Sequence, residues 1–277
     1  MKSEIIKTSN VNDILFPVRL EDTEKVFNMP ANSDYCKSVI ATIDGQDKVL
    51  NVCSDRYELV PNDQIFPAIR HELKSRGVKF SETYRNTNNA VFNASYTLED
   101  NSFNVGIAND IIKPKFEVTH SYNGLQKYSI ILGYYRLICS NGLVVPLEEK
   151  EETNLQITGK HTQKILDSIG QLFDMIPEFL AKNGGFIKKY EVLYDTKVEN
   201  FSDRVEEVMN ATGIKKGMDD VLATIRTEMS QLSIDKANDW LVYNAINRLI
   251  YDDEKNIKSQ QVRRDLDKKV LTHIMQG

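Results

Sequence analysis

The chain has 277 residues, 41% of them hydrophobic and 27% charged, which is the balance of a folded protein with room for one large domain or two ordinary ones. A net charge of −5 and a pI near 5.5 exclude a whole-molecule attraction to nucleic acid or to an anionic membrane, so any such binding needs a local patch. No run approaches the roughly 18 consecutive apolar residues of a membrane span, and Met1 to Lys7 lacks the apolar block of a signal peptide, so a cytoplasmic location without membrane contact is expected.

Residues 1–34 carry Asn, Ser and Pro without sustained periodicity and read as an N-terminal arm or an irregular packed segment. A β-meander is predicted next: Ser38 to Ile43, a turn at Asp44-Gly45, Lys48 to Cys53, a turn near Ser54-Asp55, and Tyr57 to Val60. Asn62 then reads as the N-cap of a helix whose stripe is Ile65, Phe66, Ile69 and Leu73, stopped by Gly77. Val78 to Arg85 resumes β character. Ala90 to Thr97 alternates, with Phe92, Ala94 and Tyr96 opposed to Asn93, Ser95 and Thr97.

Phe116 to Tyr122 and Lys127 to Cys139 flank Asn123-Gly124, a pair that tolerates the positive φ of tight hairpin turns. The second of these strands is apolar on both faces, which places it centrally in a sheet. After Pro146 the acidic run Glu148 to Glu152 marks a soft boundary. Helical stripes follow at Ile165 to Leu180, Val205 to Met209, Val221 to Leu232 and Ala237 to Tyr251, with Gly184-Gly185 as a break. The fold class is α+β: an N-terminal antiparallel β-rich core over residues 35–146 with one packed helix, then a C-terminal helical half, a cap or bundle, over residues 147–277. Residues 34–146 hold 12 Lys+Arg against 12 Asp+Glu and residues 147–277 hold 19 against 23, so the β-rich half suits a polyanion better.

Catalytic signatures are absent from the sequence, and no enzyme activity is expected. Cys36, Cys53 and Cys139 are an odd number without a close pair in sequence, which suggests neither a disulfide framework nor a thiolate metal site. His71, His120, His161 and His273 lack metal-ligand spacing, and neither a calcium loop nor a phosphate loop occurs, so no metal and no cofactor are expected. What remains is aromatic and basic. Tyr128, Tyr134 and Arg136 share the even-numbered face of the central strand, where phenol rings beside a guanidinium suit stacked bases. The plain alternative is a tyrosine-rich sheet buried under helices, with Arg136 paired to a carboxylate.

The segments Val118-Thr119-His120-Ser121-Tyr122-Asn123-Gly124 and Gly133-Tyr134-Tyr135-Arg136-Leu137-Ile138-Cys139-Ser140-Asn141-Gly142 resemble the signature of an uncharacterised phage/plasmid-like family, domain of unknown function 932. Asp55-Arg56-Tyr57-Glu58-Leu59-Val60-Pro61-Asn62 resembles that family's strand-to-helix motif, and Trp240-Leu241-Val242-Tyr243-Asn244-Ala245 its C-terminal Trp helix. The resemblance implies a mobile-element protein in the host-cell cytoplasm, distantly similar to single-strand annealing recombinases. The expectation that follows is single-stranded DNA binding for annealing or recombination. Arg136 and Arg56 would contact phosphates, Tyr134 and Tyr128 would stack bases, and Lys113, Lys115 and Lys127 would rim the groove. The first rival is a structural or interaction protein of a phage or mobile element that engages a host or phage protein through the helical half and never touches nucleic acid; the helices are expected to cover one sheet face or to build a homo-oligomer. The second is a metal-dependent nuclease using Asp55, Asp63 and Glu117.

Overall fold

The computed structural model describes residues 5–100, 102–106, 110–136, 141–143, 156–159, 164–181, 183–252 and 260–276. In chain order the elements are β1 (Ile5–Thr8), β2 (Val18–Asp22), α1 (Thr23–Phe27), β3 (Lys37–Ile43), β4 (Gln46–Cys53), α2 (Asn62–Ser75), β5 (Phe80–Thr87) and β6 (Val91–Leu98). They continue with β7 (Phe103–Asn104), β8 (Ile111–Ser121), β9 (Tyr128–Arg136), β10 (Asn141–Leu143) and β11 (Gln156–Gly159). Helices α3 (Lys164–Ala181), α4 (Asn183–Asp195), α5 (Phe201–Thr212), α6 (Met218–Leu232), α7 (Asp239–Tyr251) and α8 (Gln260–Gln276) complete the chain. The protein is α+β, with antiparallel sheets first and helices after them.

The small sheet has the order β2-β3-β4, and the large one β1-β5-β6-β8-β9-β10, with β7 on β8 and β11 on β9. By compactness the chain falls into two units. One takes Met1–Asp100, Lys115–Leu132 and Asn154–Glu178, the other Asn101–Pro114, Gly133–Thr153 and Phe179–Gly277. Strands β8 and β9 therefore supply residues to both units. The expected boundary at the acidic run 148–152 lies outside the described residues, as do Cys139 and the strand end at Leu137 and Ile138.

In the first unit, alternation on β6 buries Phe92, Ala94, Tyr96 and Leu98, while Asn93, Ser95 and Thr97 are half-buried. Register aligns the inward residues of neighbouring strands: Tyr96 opposes Phe116 and Ala94 opposes both Tyr84 and Val118. The result is a run of rings, with Phe66 of α2 5.7 Å from Tyr84, Tyr84 6.1 Å from Tyr96, and Tyr96 stacked 4.8 Å from Phe116. Each such pair adds about 0.5–1.5 kcal/mol beyond the area it buries.

Four expectations are corrected here. The N-terminal segment is no arm: β1 pairs with β5, and β2 is the third strand of the small sheet. Tyr57 to Val60, expected as that third strand, has no strand geometry. Gly184-Gly185 lies within α4 rather than breaking the helical pattern. Tight-turn geometry belongs to Asn88-Asn89, both at φ above 50°, where Ala90 N–H bonds Thr87 C=O at 3.1 Å between β5 and β6. Asn123-Gly124 instead sits in a longer β8–β9 connection, where Asn123 Oδ1 accepts the Leu125 N–H at 3.1 Å and only Gly124, at φ 71°, is left-handed.

The start of α2 also departs from expectation. Pro61 occupies the N-cap and has no side-chain acceptor, so Asn62 is the first helical residue. Its N–H donates to the buried Tyr122 hydroxyl at 2.7 Å, and its side-chain amide donates to Ile14 C=O at 3.0 Å. A residue just past the end of β8, 60 positions away, thus does the work of a cap. Tyr122→Phe should cost about 1–3 kcal/mol, because it strands a buried N–H. Urea unfolding would measure it, and an unchanged midpoint would remove the capping role.

Across the small sheet, Arg19 of β2 donates to Asp47 of β4 at 2.6 and 3.1 Å and to Glu21 at 2.6 Å, while the Thr42 hydroxyl donates to Asp47 at 2.7 Å. These bonds, from Arg19 first and Thr42 second, hold the Asp47 carboxyl down to about 2 from the usual 3.8. A lowered folded-state value stabilises the fold above pH 3.8, and that contribution is lost as pH falls through about 2. A carbon-13 NMR titration should find this low midpoint and see it rise towards 3.8 in Arg19→Met. A midpoint indifferent to the substitution would count against guanidinium control.

Candidate functional site

The residues predicted to form one open groove do not form it. Tyr128, Tyr134 and Arg136 do alternate to one side of β9, but they are 1%, 0% and 0% exposed. In the first unit, the Tyr128 hydroxyl accepts a hydrogen bond from Ser168 of α3 at 3.0 Å, and burial pushes its titration up to about 12. In the second unit, Tyr134 meets Tyr190 of α4 edge to face at 6.3 Å, and burial raises its phenol as well. Rings enclosed this way cannot stack on a base. The open furrow is replaced by packed core.

Lys115 is 9% exposed and donates to Glu117 on its own strand at 2.7 Å, so it is not a rim cation. Lys113 is half-buried and belongs to the second unit. Arg56 and Lys127 are exposed, both in the first unit. Of the seven predicted residues, only these two present charge openly to solvent.

Arg136 is the centre of the second unit's polar core. Its Nε and Nη2 donate to Asp110 Oδ1 and Oδ2 at 2.6 and 2.7 Å, and its Nη1 donates to Glu228 Oε2 of α6 at 2.6 Å. The Trp240 indole N–H of α7 also donates to Asp110 Oδ2, at 2.6 Å, and the guanidinium carbon lies 5.3 Å from the indole ring centre. Asp110 and Glu228 are 0% and 2% exposed. The fork matches the carboxylate in the bidentate geometry that Arg provides and Lys does not.

Local sequence explains how the partners arrive. Gly106, at φ 72°, admits the Tyr194 ring of α4 where a Cβ would collide with it, and Val105 N–H bonds Asp110 C=O at 3.3 Å, which shapes the approach to Asp110. Asn238 caps α7 by accepting the Leu241 N–H at 3.0 Å. The helix is buried on every side from Asp239 to Asn247, which requires partners for its polar groups. Asp239 takes the Arg204 fork from α5 at 2.9 and 3.1 Å, and Asn247 donates to Asp267 of α8 at 2.9 Å.

Sequence reading missed Asp110 and Glu228 altogether. An acid 26 residues before Arg136 and another 92 after it carry no spacing signal. Trp240 was singled out by its motif, without a partner. Among the described residues no three His, Cys, Asp or Glu side chains converge as a metal site, so Asp55, Asp63 and Glu117 do not assemble a nuclease triad. No helix among the described residues is long and apolar enough to cross a membrane.

These features define an α+β protein with a charged cluster enclosed in its interior. The family described as Domain of unknown function (DUF932) matches residues 49–265, and the chain belongs to it. Neither a curated protein nor a solved structure matches the chain.

Arg136→Ala would leave Asp110 and Glu228 buried without their cation and should cost about 3–5 kcal/mol, whereas Trp240→Phe, which removes one donor, should cost about 1–3 kcal/mol beyond its packing loss. Denaturant unfolding measures both. A near-neutral Arg136→Ala would mean that the guanidinium is not enclosed.

Proposed function

We propose that this protein is a non-catalytic binding protein of a phage or plasmid, acting in the host cytoplasm through contact with a phage or host protein. One observation carries the reading. Residues 23–36, between β2 and β3, form a compact excursion whose ends are tied together, and it presents Phe27, Met29 and Tyr35 at 45%, 61% and 59% exposure. Its ends are joined by Thr23 N–H to Cys36 C=O at 2.9 Å, Thr23 to Ser38 hydroxyl at 3.0 Å, and Lys37 to Asp22 at 2.6 Å. Inside it, Glu24 accepts the Ala31 N–H at 3.2 Å and Asn32 accepts the Asp34 N–H at 2.9 Å. A loop that spends its own polar groups on holding shape while showing three large apolar side chains is built for recognition.

The enclosure of Arg136, Tyr128 and Tyr134 supports this reading over single-stranded DNA binding. A second reading keeps DNA as ligand, favoured by the exposed Arg56 and Lys127. It needs a surface other than the expected groove.

A photo-reactive residue in place of Tyr35, expressed in the host, should give a discrete protein adduct that vanishes with Phe27→Ser plus Met29→Ser and is absent with the same probe at Lys48. Equal labelling from both positions sinks the loop reading. Anisotropy of a labelled single-stranded oligonucleotide across a salt series tests the second reading. Affinity that falls with salt, with a shallower slope in Arg56→Ala or Lys127→Ala, would favour it.

A further inference from the structure

Cys36 and Cys53 are brought together at the open end of the small sheet. Lys37 is the direct Cα partner of Cys53 at the open end of the β3–β4 hairpin, and Cys36 immediately precedes Lys37. Direct antiparallel partners lie about 4.5–5.5 Å apart and two-residue diagonals about 7–8 Å. A one-residue offset therefore falls near 6 Å, inside the roughly 4.4–6.8 Å span that a disulfide bridges.

Regular alternation would turn the two side chains to opposite faces. Cys36, however, closes a short 3₁₀ turn over Ser33–Tyr35 and has helical φ and ψ of −87° and −10°, which breaks the alternation at that residue. Both thiols are free and half-buried, accessible to a small oxidant and still held by the fold. Their electrostatic coupling agrees with the closeness: burial, and after it Cys36, raises the Cys53 thiol.

We propose that Cys36 and Cys53 are a reversible dithiol–disulfide pair, oxidised by low-molecular-weight disulfides, which cross-links the end of the 23–36 excursion to β4. One protein thiolate attacks the small disulfide RSSR, forming a mixed disulfide and releasing RS⁻. The second protein thiolate then attacks the protein sulfur of that mixed disulfide and releases the second RS⁻. Two protein thiols are oxidised by two electrons, and two RSH are produced after protonation. Either thiolate can make the first attack, and the other then resolves the mixed disulfide. The chemistry is independent of what the excursion binds, but it acts on the residue next to Tyr35.

The test uses the full chain with all three cysteines, treated with oxidised glutathione under native conditions. Trypsin cuts after Lys37 and Lys48, so Cys36 and Cys53 leave in separate peptides unless joined. The expected result is an intact mass lower by two hydrogen atoms, a linked Cys36–Cys53 peptide, and full reversal by a thiol reductant. Cys36→Ser and Cys53→Ser should each retain a glutathione adduct instead. Stable adducts on both cysteines of the unmodified chain, a link to Cys139, or links between chains would overturn the proposal.

Discussion

A guanidinium enclosed between two carboxylates and an indole is the interaction on which the second unit depends. Removing such ions from water costs several kcal/mol each, and the cost is offset only where nearly every donor and acceptor finds a partner. Arg136 meets that condition with three donated bonds, and Asp110 by accepting three. The bonds gather β9, α6, α7 and the segment before β8 at one point. Because the geometry is bidentate, a lysine cannot replace the arginine, and the cluster specifies one arrangement of these elements rather than simply adding stability.

The first unit solves a similar problem with neutral groups. Its sheet face is a sequence of aromatic rings in register, and α2 begins on the hydroxyl of Tyr122, just past β8, because Pro61 can offer no cap. Both units place tyrosines inside, and in the first unit two of their hydroxyls serve as connectors: Tyr122 to Asn62 and Tyr128 to Ser168. Aromatic content that suggests a stacking platform for bases serves here as internal packing.

Binding capacity is therefore sought on the outside, where the 23–36 excursion concentrates apolar exposure on a self-supporting loop. Its closing bonds lie beside Cys36, so the proposed recognition and the proposed thiol chemistry share one short stretch of chain. The same stretch adjoins β4, an outer strand in the order β2-β3-β4 among the described residues, whose Asp47 forms the exposed pair with Arg19 of β2. Charge at such an edge opposes unwanted strand addition.

The sequence by itself determined the elements whose signals are local: the alternation of β6, the stripe of α2, the adjacency of β8 and β9, the C-terminal helices, and membership of the family through ordered motifs. It also showed that Tyr128, Tyr134 and Arg136 share a face, since that follows from the period of a strand. Which way the face looks was decided only in three dimensions, because burial depends on which distant helices cover it, and Ser168, Tyr190, Glu228 and Trp240 come from segments with no local link to β9. The third strand of the small sheet, the hydroxyl that starts α2 and the nearness of Cys36 to Cys53 were decided the same way. Each depends on a pairing across sequence separations that composition and periodicity do not encode.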